Sequence, residues 1–301
     1  MSRRALPDLH RHLDGSLREA TLRELAERSG RQIPPDFAFH SGMGLQAALS
    51  RFAFTLSLLR EGAEVRRVAS EICEDAAGEG VTTLEIRFAP QLHPSGSIPE
   101  IVDAALEGIQ GRAGLILCGL WGEPVELLHE LVRVGAARQG VVGIDLAGGP
   151  SPSCRLRLED YEGAFARARD VGLGRTVHAA EGRPPLEIRI AIERLHAQRI
   201  GHGTTLLEDP SIVDLVLERG VVLEACPTSN VHTGAITSIE RHPLPRWLSL
   251  GIRACINTDN TLLSSVTAEE EHTRALGIPG MDERLLALAI EIGHSSAFEP
   301  R

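Results

Sequence analysis

Lysine is missing from this 301-residue chain, in which all 31 basic residues are arginine. That absence removes Schiff-base chemistry, the phosphate-binding lysine of P-loop proteins and the strand lysine of protein kinases. It also removes a two-metal hydrolase whose ions are bridged by a carboxylated lysine. Cysteine is scarce and scattered. Cys73, Cys118, Cys154, Cys226 and Cys255 form no Cys-x-x-Cys pair, and their odd number and wide spacing read as reduced, mostly packed thiols. Met1 to Pro7 carries no apolar stretch of a secretory leader, and no run is long enough to span a bilayer, so the expected location is cytoplasmic. Positive charge is in deficit as well. A formal net charge of −10 provides no electrostatic reason to bind nucleic acid or an anionic membrane surface.

What is present is enough hydrophobic sequence, 43% of residues, to bury one large core, and a single domain over 1–301 is the simplest expectation. Short apolar or β-branched runs predict eight strands near Ala5–His10, Thr82–Phe88, Gly114–Gly119, Val141–Leu146, Arg175–His178, Gln198–Gly201, Val221–Cys226 and Ile252–Asn257. Helix-period apolar positions fall between them at Glu100–Arg112, Pro124–Arg138, Tyr161–Val171, Pro184–His196 and Pro210–Arg219. Strands alternating with helices over this length form the α/β pattern of a (β/α)8 TIM-type barrel. Thr21–Gly80 breaks the alternation and reads as a helical insert between the first and second strands, interrupted at Pro34–Pro35 and Gly42–Gly44. A doubly wound open sheet is the rival. It is weakened by the lack of a Gly-x-Gly-x-x-Gly turn after any strand.

A barrel carries its functional side chains at strand C-terminal ends. Five polar clusters sit there: His10 to Gly15, His178 to Glu181, Gly201 to Gly203, Cys226 to Asn230, and Asn257 to Asn260. His10 and His12, two apart on a strand, point to one face. Alone, such a pair is a weak signal and reads first as packing. His178 adds a third nitrogen and Asp259 an oxygen, and three nitrogens with one carboxylate suit a single Zn²⁺ with a position left for water. Zinc would make hydroxide available near neutral pH. Hydrolysis also needs a proton donor and a group to orient the water. Glu181 and His202 are placed for these tasks, although a solvated helix-start glutamate and a core histidine are the plain alternatives.

The stretches His10-Arg11-His12-Leu13-Asp14-Gly15-Ser16-Leu17, Thr83 to Pro90, Val142 to Gly148, Val177 to Glu181, Arg199 to Gly203, Glu224 to Asn230 and Asn257-Thr258-Asp259 resemble, in order, the motifs of the adenosine deaminase family. The resemblance spans nearly the whole chain and implies a (β/α)8 metal-dependent amidohydrolase. By that resemblance His10, His12, His178 and Asp259 hold zinc, and Glu181 protonates purine N1. His202 positions the hydroxide and helps with its proton, while Asp259 also accepts a hydrogen bond from it. Gly148 offers its backbone N–H to purine N3, and Asp14 pairs with a ribose 5′ hydroxyl. The implied reaction converts adenosine, or a close 6-aminopurine nucleoside, to the 6-oxopurine and ammonia. The implied partner is therefore a small-molecule purine nucleoside, with no nucleic acid or membrane; the oligomeric state is left open.

Two positions depart from the family pattern. Asn260 replaces a common aspartate that contacts purine N7, and its amide N–H₂ donates at any pH. Ala180 stands where glycine is usual and adds a methyl beside the substrate. These departures keep open a 5′-modified adenosine such as aminodeoxyfutalosine, free adenine, or an N6-substituted adenine. A catalytically silent purine-binding barrel is the reading from a different class. The zinc deaminase pattern of His-x-Glu with Pro-Cys-x-x-Cys is absent. His40, His93, His129, His196, His232, His242, His272 and His294 show no partner pattern and read as surface or packing residues. Glu85 and Arg87 alternate with apolar neighbours and are expected to form a structural polar layer inside the barrel. Ala47–Leu59, with Phe52 and Phe54, reads equally as an apolar cover for the pocket or as packing.

Overall fold

Each predicted apolar run becomes a strand in the computed structural model, which describes residues 4–150 and 153–299. The strands are β1 (Leu6–His12), β2 (Val81–Phe88), β3 (Gly114–Leu120), β4 (Val141–Ala147), β5 (Gly174–Ala179), β6 (Arg199–His202), β7 (Val222–Ala225) and β8 (Ala254–Ile256). All pair in parallel, in chain order from β1 to β8. Their side chains are buried on both faces, as expected of a parallel sheet wrapped in helices. β1 runs two residues further than the sequence suggested, so His12 as well as His10 lies on the strand.

The open-sheet alternative fails at the seam between β1 and the chain leaving β8. His12 N–H donates to the Asp259 carbonyl and Asp259 N–H donates to the His10 carbonyl, each at 2.8 Å. Below them, Leu9 N–H donates to Asn257 Oδ1 at 2.8 Å. The Thr258 hydroxyl donates to Asp8 at 2.6 Å, and Arg11 Nε donates to the same carboxylate at 2.8 Å. The bonds that bring the sheet round into a barrel therefore set three candidate metal ligands side by side.

The insert is helical, as its composition indicated: α1 (Glu19–Arg28), α2 (Leu45–Leu58) and α3 (Gly62–Gly78). Of the helices between later strands, Pro210–Arg219 matches the sequence reading residue for residue, and its start is capped by the Asp209 carboxylate. Four further helices went unread: Pro227–His232, Leu244–Ser249, Ala268–Leu276 and Glu283–Ser296. The last packs on β1 and β8. Just beyond it, the Phe298 ring plugs the barrel floor in a slot floored by Gly174, where a Cβ would stand 2.2 Å from the ring. That ring lies on the Arg199 guanidinium, 3.7 Å from its centroid. No helix among the described residues is long and apolar enough to cross a membrane.

Candidate active site

A charged layer crosses the barrel interior just beneath the mouth. Arg87, on β2, is fully buried; its Nη1 lies 3.0 Å from Asp145 of β4, and its Nη2 lies 2.9 Å from Glu224 of β7 and 2.6 Å from the Leu9 carbonyl. Glu224 also faces Arg199 Nε at 2.8 Å and accepts the Thr176 hydroxyl at 3.0 Å. Arg199 pairs in turn with Glu85, and Glu85 accepts the Phe298 N–H. The polar layer expected from Glu85 and Arg87 is thus present, and it reaches from the floor to the mouth.

Its upper surface holds two imidazoles. His10 Nδ1–H donates to Glu224 at 2.7 Å, and His178 Nδ1–H donates to Asp145 at 3.0 Å. A carboxylate can only accept, so each Nε2 is left with a free lone pair aimed upward. His10 Nε2 is buried and has no hydrogen-bond partner. His12 Nε2 stands 3.2 Å from His178 Nε2, and Asp259 Oδ1 stands 3.7 Å from His10 Nε2 and 3.5 Å from His12 Nε2. These separations suit a tetrahedral cation site, whose ligand-to-ligand edge is ~3.4 Å for bonds of ~2.0–2.1 Å. Among the described residues, two triads have ligand atoms close enough to share an ion: His10, His12 and His178, and His10, His202 and Asp259.

Burial, aided by Arg87 at His10 and by His178 at His12, holds both imidazoles well below their ordinary pKa, in the neutral form that ligates. Burial also works against His178, but the Asp145 carboxylate outweighs it and raises that pKa. Asp145 itself is held below the usual carboxylate range despite its burial, by His178 and Arg87. Burial raises Asp259.

Above this cluster opens a mostly apolar cavity of about 320 Å³ that also reaches Asp14, Gly148, Glu181, His202, Asp259 and Asn260. The expected site residues thus meet in one place, with His10 beneath them. Glu181 Oε1 accepts the Thr233 hydroxyl at 2.8 Å, and Oε2 lies 3.8 Å from His202 Nε2. Asp14 is 6% exposed with Oδ1 buried and unpartnered, and burial pushes it up to about 7. Gly148 has φ +73° with no atom within 4 Å of where a Cβ would be, so its main chain is open to the cavity. α2 forms one wall through Leu45, Leu49, Phe52 and Leu56. The two readings of this helix divide between its aromatics: Phe52 faces the cavity, whereas Phe54 packs on Phe37 at 5.5 Å.

Three positions at strand ends around the cavity have left-handed backbone: Ala180 (φ +55°), His202 (φ +68°) and Asp259 (φ +62°). Such left-handed conformations cost non-glycine residues about 1–2 kcal/mol, and they cluster where a strand end must turn a side chain into a site. The sequence reading gave no role to Thr233, Asn230 or His242. Thr233 orients Glu181, and Asn230 Nδ2 lies 3.0 Å from His202 Nδ1. His242, without a partner pattern in the sequence, lies 3.3 Å from Asn230 Oδ1.

A parallel eight-stranded barrel with an imidazole and carboxylate cluster in its mouth, backed by buried carboxylates, defines an enzyme of the amidohydrolase type. The family model described as adenosine deaminase matches residues 6–301, and the chain belongs to that family, whose chemistry is the hydrolytic deamination of aminopurines. The adenosine deaminase of Serratia proteamaculans is 34% identical, over 99% of this chain and 95% of its own. An adenine deaminase from Arthrobacter aurescens is 25% identical with a TM-score of 0.86, covering 98% of this chain and 94% of that one. A zinc-bound amidohydrolase from Burkholderia ambifaria shares the fold at TM-score 0.87 and 24% identity, over 98% of this chain and 86% of its own.

If the buried carboxylates aim the imidazoles, Asp145→Asn lowers affinity for a cation by about 10–100-fold. Competition between the protein and a chromophoric chelator for zinc measures this; an unchanged affinity removes Asp145 from the orienting role.

Proposed function

We propose that this chain hydrolyses the 6-amino group of an uncharged purine nucleoside, adenosine or a close analogue, with zinc held by His10, His12, His178 and Asp259. The observation that carries this reading is the meeting of Glu181, His202 and Asp259 in one cavity with Asp14, Gly148 and Asn260. The three-nitrogen, one-oxygen donor set and the unpartnered His10 Nε2 fit zinc. Bound there, zinc would supply hydroxide near neutral pH by lowering the pKa of water.

The residues of the chain do the rest. Glu181, steadied through Oε1 by Thr233, delivers a proton from Oε2 to purine N1 and so makes C6 electrophilic. His202 and Asp259 hold the attacking oxygen against C6. Addition gives a tetrahedral carbon bearing a hydroxyl and the amino group; the hydroxyl proton passes to N6 as the C6–N6 bond breaks and the C6 carbonyl forms, and ammonia leaves behind the 6-oxopurine. Gly148 N–H meets N3, and the Asn260 amide meets N7. Asp14 takes the 5′ hydroxyl, which supplies the donor its buried Oδ1 lacks.

Among the described residues, no arginine lines the cavity, while Asp14, Glu181 and Asp259 do. Arg183 stands behind that lining, its guanidinium 5.7 Å from the Trp121 ring centroid, so the preference for nucleosides over nucleotides rests on Asp14, which suits a 5′ hydroxyl and would meet a 5′-phosphate as a like charge. Five free thiols suit the cytoplasm.

Ammonia release from adenosine, 2′-deoxyadenosine, 5′-modified adenosines, adenine, N6-substituted adenines and AMP tests the assignment. Chelator-sensitive turnover led by adenosine and negligible with AMP is expected, and Glu181→Gln should cost about 10²–10⁴-fold in kcat without loss of zinc. Silence across the panel with zinc bound would remove 6-aminopurines as the substrate class. A second outcome concerns pH. Asp14 becomes neutral as pH falls through about 7 and then accepts more weakly from a 5′ hydroxyl. The kcat/KM advantage of adenosine over 5′-deoxyadenosine should therefore shrink on acidification in the native enzyme and stay flat in Asp14→Asn.

A further inference from the structure

One backbone N–H outside the cavity determines which nitrogen of His202 carries a proton. His242 lies between β7 and β8, is 3% exposed, and rests against Trp247 at 5.3 Å between ring centroids. The amide of Leu244 donates to His242 Nδ1 at 3.1 Å. An amide N–H can only donate, so Nδ1 carries the lone pair and the His242 proton resides on Nε2. That proton faces Asn230 at 3.3 Å and requires an acceptor, which must be Oδ1. The reverse amide orientation would set N–H against N–H. With Oδ1 so engaged, the Asn230 N–H₂ points at His202 Nδ1, 3.0 Å away, and that nitrogen must accept. A neutral imidazole accepting through Nδ1 carries its hydrogen on Nε2. Asn230 is fully buried and His202 is 2% exposed, so solvent offers neither an alternative partner.

We propose that His242 and Asn230 are positioning residues that lock His202 as an Nε2–H donor facing the cavity. Resting on the deaminase reading above, this assigns His202 one of the two tasks expected of it. It orients the attacking oxygen by donating a hydrogen bond, and it does not take a proton on the nitrogen that faces the substrate. A nitrogen bearing hydrogen also has no lone pair for a cation. Of the two candidate triads, the one containing His202 is therefore excluded, and the ligand set is His10, His12 and His178 with Asp259. Proton transfer from the attacking water falls to Asp259 or Glu181.

The test reads the tautomer directly. Long-range ¹H–¹⁵N correlation spectra of the ¹⁵N-labelled, zinc-loaded protein report the protonation of each ring nitrogen, with His202 assigned by difference from His202→Gln. A protonated Nε2 and a pyridine-like Nδ1 are expected. Asn230→Asp, nearly isosteric, turns the donor into an acceptor; it should move the His202 proton to Nδ1 and lower kcat by about 10²-fold, the scale of losing one aligned donor, with KM little changed. His242→Leu removes the donor to Asn230 and should lower kcat in the same way. His242→Gln keeps an N–H and should recover most of it at equal thermal stability. An Nδ1–H tautomer, a metal-bound Nε2 shift, or an Asn230→Asp enzyme with unchanged tautomer and kcat would overturn the proposal. The spectrum decides even if no 6-aminopurine is turned over, so failure of the substrate assignment and failure of this inference are separate results.

Discussion

The site depends on the pairing of Arg87 with Glu224 and Asp145 inside the barrel. Three buried carboxylates, Glu85, Asp145 and Glu224, face two buried guanidiniums, Arg87 and Arg199. The shortfall of positive charge is met by the N–H groups of His10 and His178. Taking such charges out of water is expensive, and a packed apolar layer of the same volume would serve stability as well or better. Orientation explains the layer more simply. Glu224 and Asp145 each fix one imidazole by its Nδ1–H and present the opposite nitrogen to a common point, which a hydrophobic layer would not do.

The same requirement accounts for how the barrel closes. Asp259 follows β8, yet it is held by two backbone hydrogen bonds to His10 and His12, so one seam positions the carboxylate and two of the imidazoles. The left-handed conformations of His202 and Asp259 turn their side chains off the strand direction and into the mouth. Between β5 and its helix, Ala180 accepts the same strain with a methyl group. It is anchored by its N–H on Glu187 at 2.7 Å and by the Thr204 hydroxyl on its carbonyl at 3.0 Å. The cavity, Glu181 and the candidate cation site are therefore spaced by the barrel itself, while α2 supplies the apolar wall.

Strands, and the residues at their ends, were legible in the sequence because a parallel strand is a short apolar run and a strand end breaks that run with polarity. The i, i+2 spacing of His10 and His12 reports a shared face for the same reason. Partnerships across the barrel leave no such local mark. Glu224 sits 214 residues from His10, and nothing near either position announces the contact. Asn230, on the helix Pro227–His232, and His242, just ahead of Leu244–Ser249, likewise meet only in the folded chain. The final helices went unread because their apolar faces follow polar loops without a preceding strand to frame them, and Phe298 finds its slot only once Gly174 is in place.

The most direct measurement is an anomalous diffraction experiment at the zinc edge on crystals of the native chain grown with zinc. One ion is expected ~2.0–2.2 Å from Nε2 of His10, His12 and His178 and from a carboxylate oxygen of Asp259, with both Nδ1 atoms still on Glu224 and Asp145. An ion bound through Nδ1, an ion on His202 in place of His178, or no ion in the barrel mouth would contradict the role assigned to the buried charged layer.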